Sequence, residues 1–142
     1  MAEAKYIPGV GEVFKGYIPA EVQMAKVTFG AATTADVVVG DTAVYTLWTV
    51  TRPIVVFGLW AQTETAWTTS VTATIGDSTT ADLFLADTTM NIASTGAVLI
   101  ASTGLTVPYV YSAGQDILLD VNGATAAAGL TNVYIQYAIL ED

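Results

Sequence analysis

The sequence predicts a single all-β domain, an antiparallel β-sandwich or jelly roll of about eight to ten strands, preceded by an extended N-terminal arm. From residue 22 onward the chain is dominated by Val, Ile, Thr, Tyr, Phe and Trp, the residue types that strands favour. Turn signals separate the apolar runs, mostly at intervals of roughly 8–15 residues, which fits a sandwich or barrel; they are Gly40-Asp41, Arg52-Pro53, Gly76-Asp77-Ser78, Ser94-Thr95-Gly96, Ser102-Thr103-Gly104, Ser112-Ala113-Gly114 and Asn122-Gly123. Helical periodicity is nearly absent, and 142 residues suit one domain.

Residues 1–21 differ from the rest and are predicted to form the arm, which leaves residues 22–142 as the sandwich domain. Proline and glycine recur every few positions in this segment, which disfavours both helix and central strand. The segment is nevertheless too apolar for a solvated tail. The candidate partner-binding residues of the arm are Tyr6, Ile7, Val10, Val13, Phe14, Tyr17 and Ile18. Docking on a neighbouring subunit or partner and folding back on the same domain both remain open.

Alternation of apolar and polar side chains predicts the clearest strands. Residues 68–75 place Val71, Ala73 and Ile75 on one face, and residues 115–121 set apolar positions opposite Asp116 and Asp120. The last strand, residues 131–140, places Val133, Ile135, Tyr137 and Ile139 on one side. Residues 44–50 alternate less cleanly. Residues 54–57 are apolar on both faces, which predicts a strand covered on both sides.

The segments between these strands are predicted to be irregular. Residues 79–85 form at most one short turn, and the alanine-rich residues 124–129 are read as a loop because glycines flank them. Tyr109 and Tyr111 follow Pro108 and are expected at the rim of a loop.

Composition predicts a protein that associates. Apolar residues make up 53% of the chain and charged residues 12%, with a mean hydropathy of +0.55. A charged fraction of about half the usual share cannot cover such a surface, so burial of apolar surface between subunits is expected. No apolar stretch approaches the ~20 residues of a spanning helix. The N-terminus lacks a basic region followed by an apolar run, so no signal peptide is expected.

Charge excludes two classes of partner. Four Lys and Arg face thirteen Asp and Glu, for a net charge of −9. Binding of nucleic acid requires cations that displace counterions from phosphate, so direct DNA or RNA binding is not expected. An anionic membrane surface would repel the chain.

The absence of cysteine and histidine argues against catalysis. Ser-His-Asp and Cys-His mechanisms and zinc sites built from these residues are impossible. No two carboxylates are set apart for glycoside hydrolysis, since Asp116 and Asp120 are expected on one solvent face. The sequence therefore predicts a non-enzyme with no catalytic residue, no cofactor and no metal ligand.

One acidic cluster leaves an alternative open. Asp77, Asp82 and Asp87 recur at five-residue spacing among Ser and Thr, and such oxygens suit calcium. The EF-hand spacing is absent. The preferred interpretation is that Asp77 and Ser78 shape a turn by hydrogen bonding to nearby backbone amides.

The three tryptophans, Trp48, Trp60 and Trp67, are candidate core or subunit-interface residues. Aromatic residues at strand spacing usually pack in this way. The alternative is an exposed platform that binds carbohydrate.

Three segments resemble small virion structural proteins of tailed bacteriophages. The first runs from Ala73 to Ala86 and joins a strand, Gly-Asp, a short polar insert, Asp and Phe-Leu. The second is the strand pair at residues 45–51 and 54–60. The third, Val133-Tyr134-Ile135-Gln136-Tyr137, is similar to their closing strand, with Gln136 where an acid is usual. Together they cover about residues 42–140.

The resemblance implies a head decoration (cement) protein that stabilises the capsid by self-association and lattice contacts. It implies a homotrimer on the outer surface of the capsid, the major capsid protein as partner, and an arm that clasps a neighbour. It carries over no catalytic residues. The alternative is a phage fibre or receptor-binding module that recognises host surface glycans through its loops and tryptophans.

Overall fold

A computed structural model describes residues 21–68, 70–86, 108–123 and 125–140, and the backbone pairing of residues 98–100. Residues 1–20 of the predicted arm, residues 1–21, therefore lie outside the described residues. In the described part every regular element is a strand. The strands are β1 (Val22–Gly30), β2 (Val37–Val38), β3 (Ala43–Thr49), β4 (Ile54–Thr65), β5 (Thr72–Gly76), β6 (Val98–Ile100), β7 (Tyr109–Tyr111), β8 (Asp116–Asn122) and β9 (Leu130–Ile139). The predicted all-β sandwich is confirmed.

The strands form two sheets. A six-stranded sheet has the order β2-β1-β9-β4-β6, with β7 also paired to β4, and a three-stranded sheet has the order β3-β8-β5. All pairs are antiparallel except the short β1–β2 pair. Strand β4 is the longest at 12 residues and pairs along its length with β9.

The core lies between the two sheets, where the predicted apolar faces meet. Val71, Ala73 and Ile75 are buried, as are Ile117 and Leu119 on β8. On the other side of β8, Asp116 and Asp120 are partly exposed, as the alternation predicts. The largest fully buried side chains are Tyr111, Phe29, Phe84, Leu59, Ile75, Leu85, Ile117, Leu119 and Ile135.

Two segments match their irregular predictions. Residues 79–85 form turns and bends that return to the sheet at a bridge between Ile75 and Leu85. In the described part of residues 124–129 there is no regular structure. Gly129 adopts a φ of +139°, a conformation that L-residues rarely adopt, and its Cα faces the Trp67 ring where a Cβ would overlap it.

Tyr109 and Tyr111 correct the prediction of a loop rim. They form β7, which pairs with β4. Tyr111 is fully buried and Tyr109 half-buried, because both face the core on the same side of the strand. Only the intervening Val110 points outward, at 57% exposure.

Candidate docking surface and its supporting residues

The three tryptophans occupy three different environments. Trp67 is 4% exposed and packs 5.3 Å from the Phe29 ring, between centroids. Its Nε1 donates a hydrogen bond of 2.9 Å to the buried Thr131 Oγ1. Trp67 is therefore a core residue and cannot serve as part of a glycan platform.

Trp48 and Trp60 are both half-buried, but on different sides of the fold. Trp48 lies edge-on to Tyr137, 4.9 Å between ring centroids, and so joins the two sheets. Trp60 lies on the outward side of β4 and stacks on Tyr134, at 6.0 Å and 24°. Of the three, Trp60 is the one placed on an outer face.

Asp77 organises the 77–85 turn from a buried position. Its Oδ1 accepts hydrogen bonds from the backbone N–H of Thr79 and of Thr80, each 2.8 Å long. Its Oδ2 accepts a bond of 3.0 Å from the Tyr111 hydroxyl. Both carboxylate oxygens are thus engaged within the protein, as expected for a residue that shapes a turn.

The tyrosines beside Asp77 titrate abnormally. Burial raises the pKa of Tyr111, and the hydrogen bond to Asp77 raises it further. Burial also raises the pKa of Tyr109, with the negative charge of Asp77 as the second cause. Both phenols therefore ionise at a higher pH than an exposed tyrosine.

The acidic cluster is not assembled in the described residues. Asp82 lies on an exposed turn and Asp87 lies outside the described residues. No group of three or more Asp, Glu, His or Cys that could hold a metal ion occurs in the part of the chain that the structure describes. In the same part, no helix is long and apolar enough to span a bilayer.

The outer face of the six-stranded sheet carries an apolar row at the end where β1 begins. Directly paired residues point to the same side of a sheet. The register therefore aligns Val22, Ala138, Val55 and Val110 across β1, β9, β4 and β7. Ala138 and Val55 are buried, whereas Val22 and Val110 are each more than half exposed.

A second row crosses the same face one pleat further on. Met24 on β1 is 50% exposed and is paired with Gln136, which is paired in turn with Gly58. The third row contains Lys26, Tyr134 and Trp60. The Lys26 ammonium lies 5.9 Å from the centroid of the Tyr134 ring, which in turn stacks on Trp60.

Polar residues occupy the end of this outer face that lies opposite the start of β1. Thr28 donates through its backbone N–H and its hydroxyl to Asp36 Oδ2, at 2.9 and 3.1 Å. These hydrogen bonds from Thr28 lower the pKa of Asp36. Asn132, 5% exposed, donates through Nδ2 to Glu64 Oε2 at 2.9 Å. The outer face thus changes from apolar at the β1 start to polar at the other end.

Sequence reasoning identified Trp60 but not its neighbours on the outer face. Met24, Lys26, Val110 and Tyr134 were not singled out, because only the strand register brings them together. Residues 54–57 were predicted to be covered on both sides. Ile54 and Val56 face the core and Val55 faces the outer side, and all three are buried. The arm candidates between Tyr6 and Ile18 lie outside the described residues, so this prediction stands as made.

Comparisons with known proteins give structural neighbours but no sequence relatives. No protein-family model and no curated protein matches the sequence. The fold is similar to a chain in the capsid asymmetric unit of cyanophage Pam1, with 20% identity and a TM-score of 0.62, covering 94% of this chain and 91% of that one. It is also similar to a chain in the acid-stable capsid structure of Helicobacter pylori bacteriophage KHP30, with 14% identity and a TM-score of 0.62, covering 87% and 92%. At these identities the likeness concerns the fold, and it extends over nearly the whole of each chain.

Proposed function

We propose that this chain is a structural virion protein of a tailed bacteriophage, a capsid decoration protein that stabilises the head by self-association and lattice contacts. The observation that carries the proposal is the fold that this chain shares, over about nine-tenths of each chain, with chains from two phage capsid structures. The residue pattern of three segments between residues 42 and 140, which resembles that of small virion structural proteins, favours the same class of protein.

The physical character of the domain supports a structural role. The described fold has an apolar core and an outer face with exposed valine and methionine. A chain with 53% apolar and 12% charged residues is suited to burying part of its surface in an assembly. Binding that favours the assembled shell over free subunits would stabilise the particle by mass action.

The finer parts of the proposal are the homotrimer, the major capsid protein as partner and the outer surface of the capsid as location. The arm, residues 1–21, would supply the contact with a neighbour through its seven apolar side chains. No catalytic residue and no cofactor takes part in this function. The protein would stabilise the shell through contacts that span adjacent capsid subunits.

The experiment is a shell-binding assay with the full-length chain. Purified protein is mixed with shells assembled from the shell-forming protein encoded in the same genome, and bound chain is quantified after sedimentation. Saturable binding at a fixed ratio to the shell subunit is expected. A chain that stays in the supernatant at micromolar concentration refutes a decoration role.

A matched pair of variants tests the arm. Val10→Ser combined with Phe14→Ser removes apolar contacts from the arm and should weaken shell binding at least about tenfold. Thr72→Ser combined with Thr74→Ser changes the three-stranded sheet on its outward side and should leave binding unchanged. If both variants bind shells equally well, the arm does not contribute to shell binding.

The alternative function is a fibre or receptor-binding module that recognises host glycans. The observation that favours it is the half-exposed Trp60 stacked on Tyr134 beside Gln136. Trp60→Ala would then abolish binding on a glycan array without unfolding the protein. Absence of any glycan binding by the wild-type chain argues against this alternative.

A further inference from the structure

We propose that the outer face of the six-stranded sheet, centred on Met24, Val110, Trp60 and Tyr134, is the surface on which a second copy of this chain docks. The inference rests on the self-association part of the proposed function. It adds the location and the strength of the contact.

The distribution of exposed apolar side chains selects this face. Among the described residues, five large hydrophobic side chains are exposed. Val22, Met24 and Val110 lie at the apolar end of this face, and Val38 lies on the same side of the fold, on the edge strand β2 at the polar end. The fifth, Val44, lies on the outward side of the three-stranded sheet, paired with Asp120. One face is therefore apolar and aromatic, whereas the opposite one carries threonines and aspartates.

The distribution of charged residues favours a second copy of the chain as the partner that binds this face. Residues 22–142 contain ten Asp and Glu but only two cations, Lys26 and Arg52. Two such domains repel each other except where the local charge is balanced. Lys26 lies within this face, and Glu64 and Asp36 lie at its far end, so the face carries both signs and can meet a like-composed surface.

The edge of the sheet extends the same surface. On the side away from β9, β2 pairs with only Phe29 and Gly30 of β1. Within the described residues, no strand pairs with the outer edge of Val22–Thr28. An unpaired strand edge beside an apolar face is a template for association with another chain.

The size of the face sets the expected strength. Four strands at ~4.8 Å spacing and seven residues at ~3.3 Å give about 440 Å² per copy. A standard stable interface buries about 800 Å² per partner. The contact is therefore expected to be weak on its own, with a concentration-dependent equilibrium, and to gain strength when several copies are held side by side.

Matched lysine variants of the full chain test the assignment by sedimentation equilibrium, from about 1 µM to about 1 mM. Val110→Lys and Met24→Lys place a cation within the face, and Val44→Lys places one on the opposite side. Val110 and Val44 are 57% and 59% exposed, so the two valine variants are matched in residue type and exposure. All three variants lower the net negative charge equally, so long-range repulsion falls in each.

The expected result is that Val110→Lys and Met24→Lys weaken self-association at least about tenfold, while Val44→Lys stays within about threefold of wild type. Thermal melts verify that each variant is folded, and two independent positions guard against one that is not. Wild-type association in both face variants, or an equal loss in Val44→Lys, overturns the inference. So does a wild-type chain that is monomeric throughout the range.

The two proposals fail separately. If the wild-type chain self-associates through this face but does not bind shells, the decoration role fails and the docking face stands. If shells bind the chain while the face variants associate normally, the docking face fails and the decoration role stands.

Discussion

Replacement of Asp77 by alanine is expected to destabilise the fold by about 3–5 kcal/mol. The substitution removes the acceptor of two backbone amides and of the Tyr111 hydroxyl. A buried donor left without a partner costs about 1–3 kcal/mol, and hydrogen bonds to a charged acceptor contribute about 1.5–3 kcal/mol each. The total is less than the full sum, because Thr79 and Thr80 lie near the surface and their amides can turn to water.

Two further variants resolve this cost into its parts. Tyr111→Phe removes one hydroxyl and is expected to cost about 1–2 kcal/mol. Asp77→Asn keeps an acceptor for the two amides and should fall between the other two variants. In a double-mutant cycle, Asp77→Ala and Tyr111→Phe should couple by about 1 kcal/mol or more, since they share a hydrogen bond.

Urea unfolding, monitored by tryptophan fluorescence, measures each free energy of unfolding. A domain of this size is stable by about 5–15 kcal/mol, so the variants should remain folded and measurable. In a thermal melt the alanine variant should unfold about 10–15 °C lower. If Asp77→Ala costs less than about 1 kcal/mol, or if the cycle shows no coupling, Asp77 does not organise the turn as described.

Three other predictions follow from the same contacts. Because Tyr109 and Tyr111 have raised pKa values in the folded state, the stability they contribute is complete below about pH 10, the pKa of an unfolded tyrosine, and falls as the pH rises above it. Urea unfolding midpoints measured against pH should show a smaller alkaline loss of stability in Tyr111→Phe than in the wild type. An identical pH profile in the variant would contradict this prediction. Gly129→Ala should destabilise the fold by about 3 kcal/mol or more, because at a φ of +139° the added Cβ would overlap the Trp67 ring. Gly114→Ala should cost only about 1–2 kcal/mol of backbone strain, because Gly114 has a φ of +92° but nothing lies within 4 Å of its added Cβ. Equal losses of stability in chemical unfolding would refute the packing argument. Trp67→Ala should lower the free energy of unfolding by about 3–5 kcal/mol, as a core deletion does, and Trp60→Ala by about 1 kcal/mol. Iodide should quench the fluorescence of Trp67 least. A larger loss of stability in Trp60→Ala, or stronger quenching of Trp67, would mean that the two environments are assigned wrongly.

Part of the fold could be read from the sequence because alternation records burial directly. Val71, Ala73 and Ile75 face the core as predicted, and β8 separates Ile117, Leu119 and Val121 from Asp116 and Asp120. The turn at Asp77 could also be predicted, since Asp bonds to the amides that follow it.

The outer face could not be predicted, because it is a property of register. Val22, Val55 and Val110 are far apart in the chain and meet only through pairing of β1, β9, β4 and β7. A shift in the β4–β9 register between Val56 and Gly58 also breaks the alternation there, which obscures the faces in the sequence. For the tryptophans, composition indicates packing but cannot separate the buried Trp67 from the half-exposed Trp60.

Tyr111 was misplaced for a related reason. Proline at position 108 indicates a turn, and a strand of three residues is too short to show alternation. Its burial depends on pairing with β4 and on the buried carboxylate of Asp77, 34 residues earlier in the chain. Such long-range partners leave no mark on the local pattern.

Cryo-electron microscopy of the phage particle that carries this protein tests the proposed function most directly. The decoration role predicts density for the two-sheet domain at regular positions on the outer surface of the head, with copies of the chain in contact across the outer face of the six-stranded sheet. Density for the domain only at the tail or its fibres, or a head without it, would contradict the proposal.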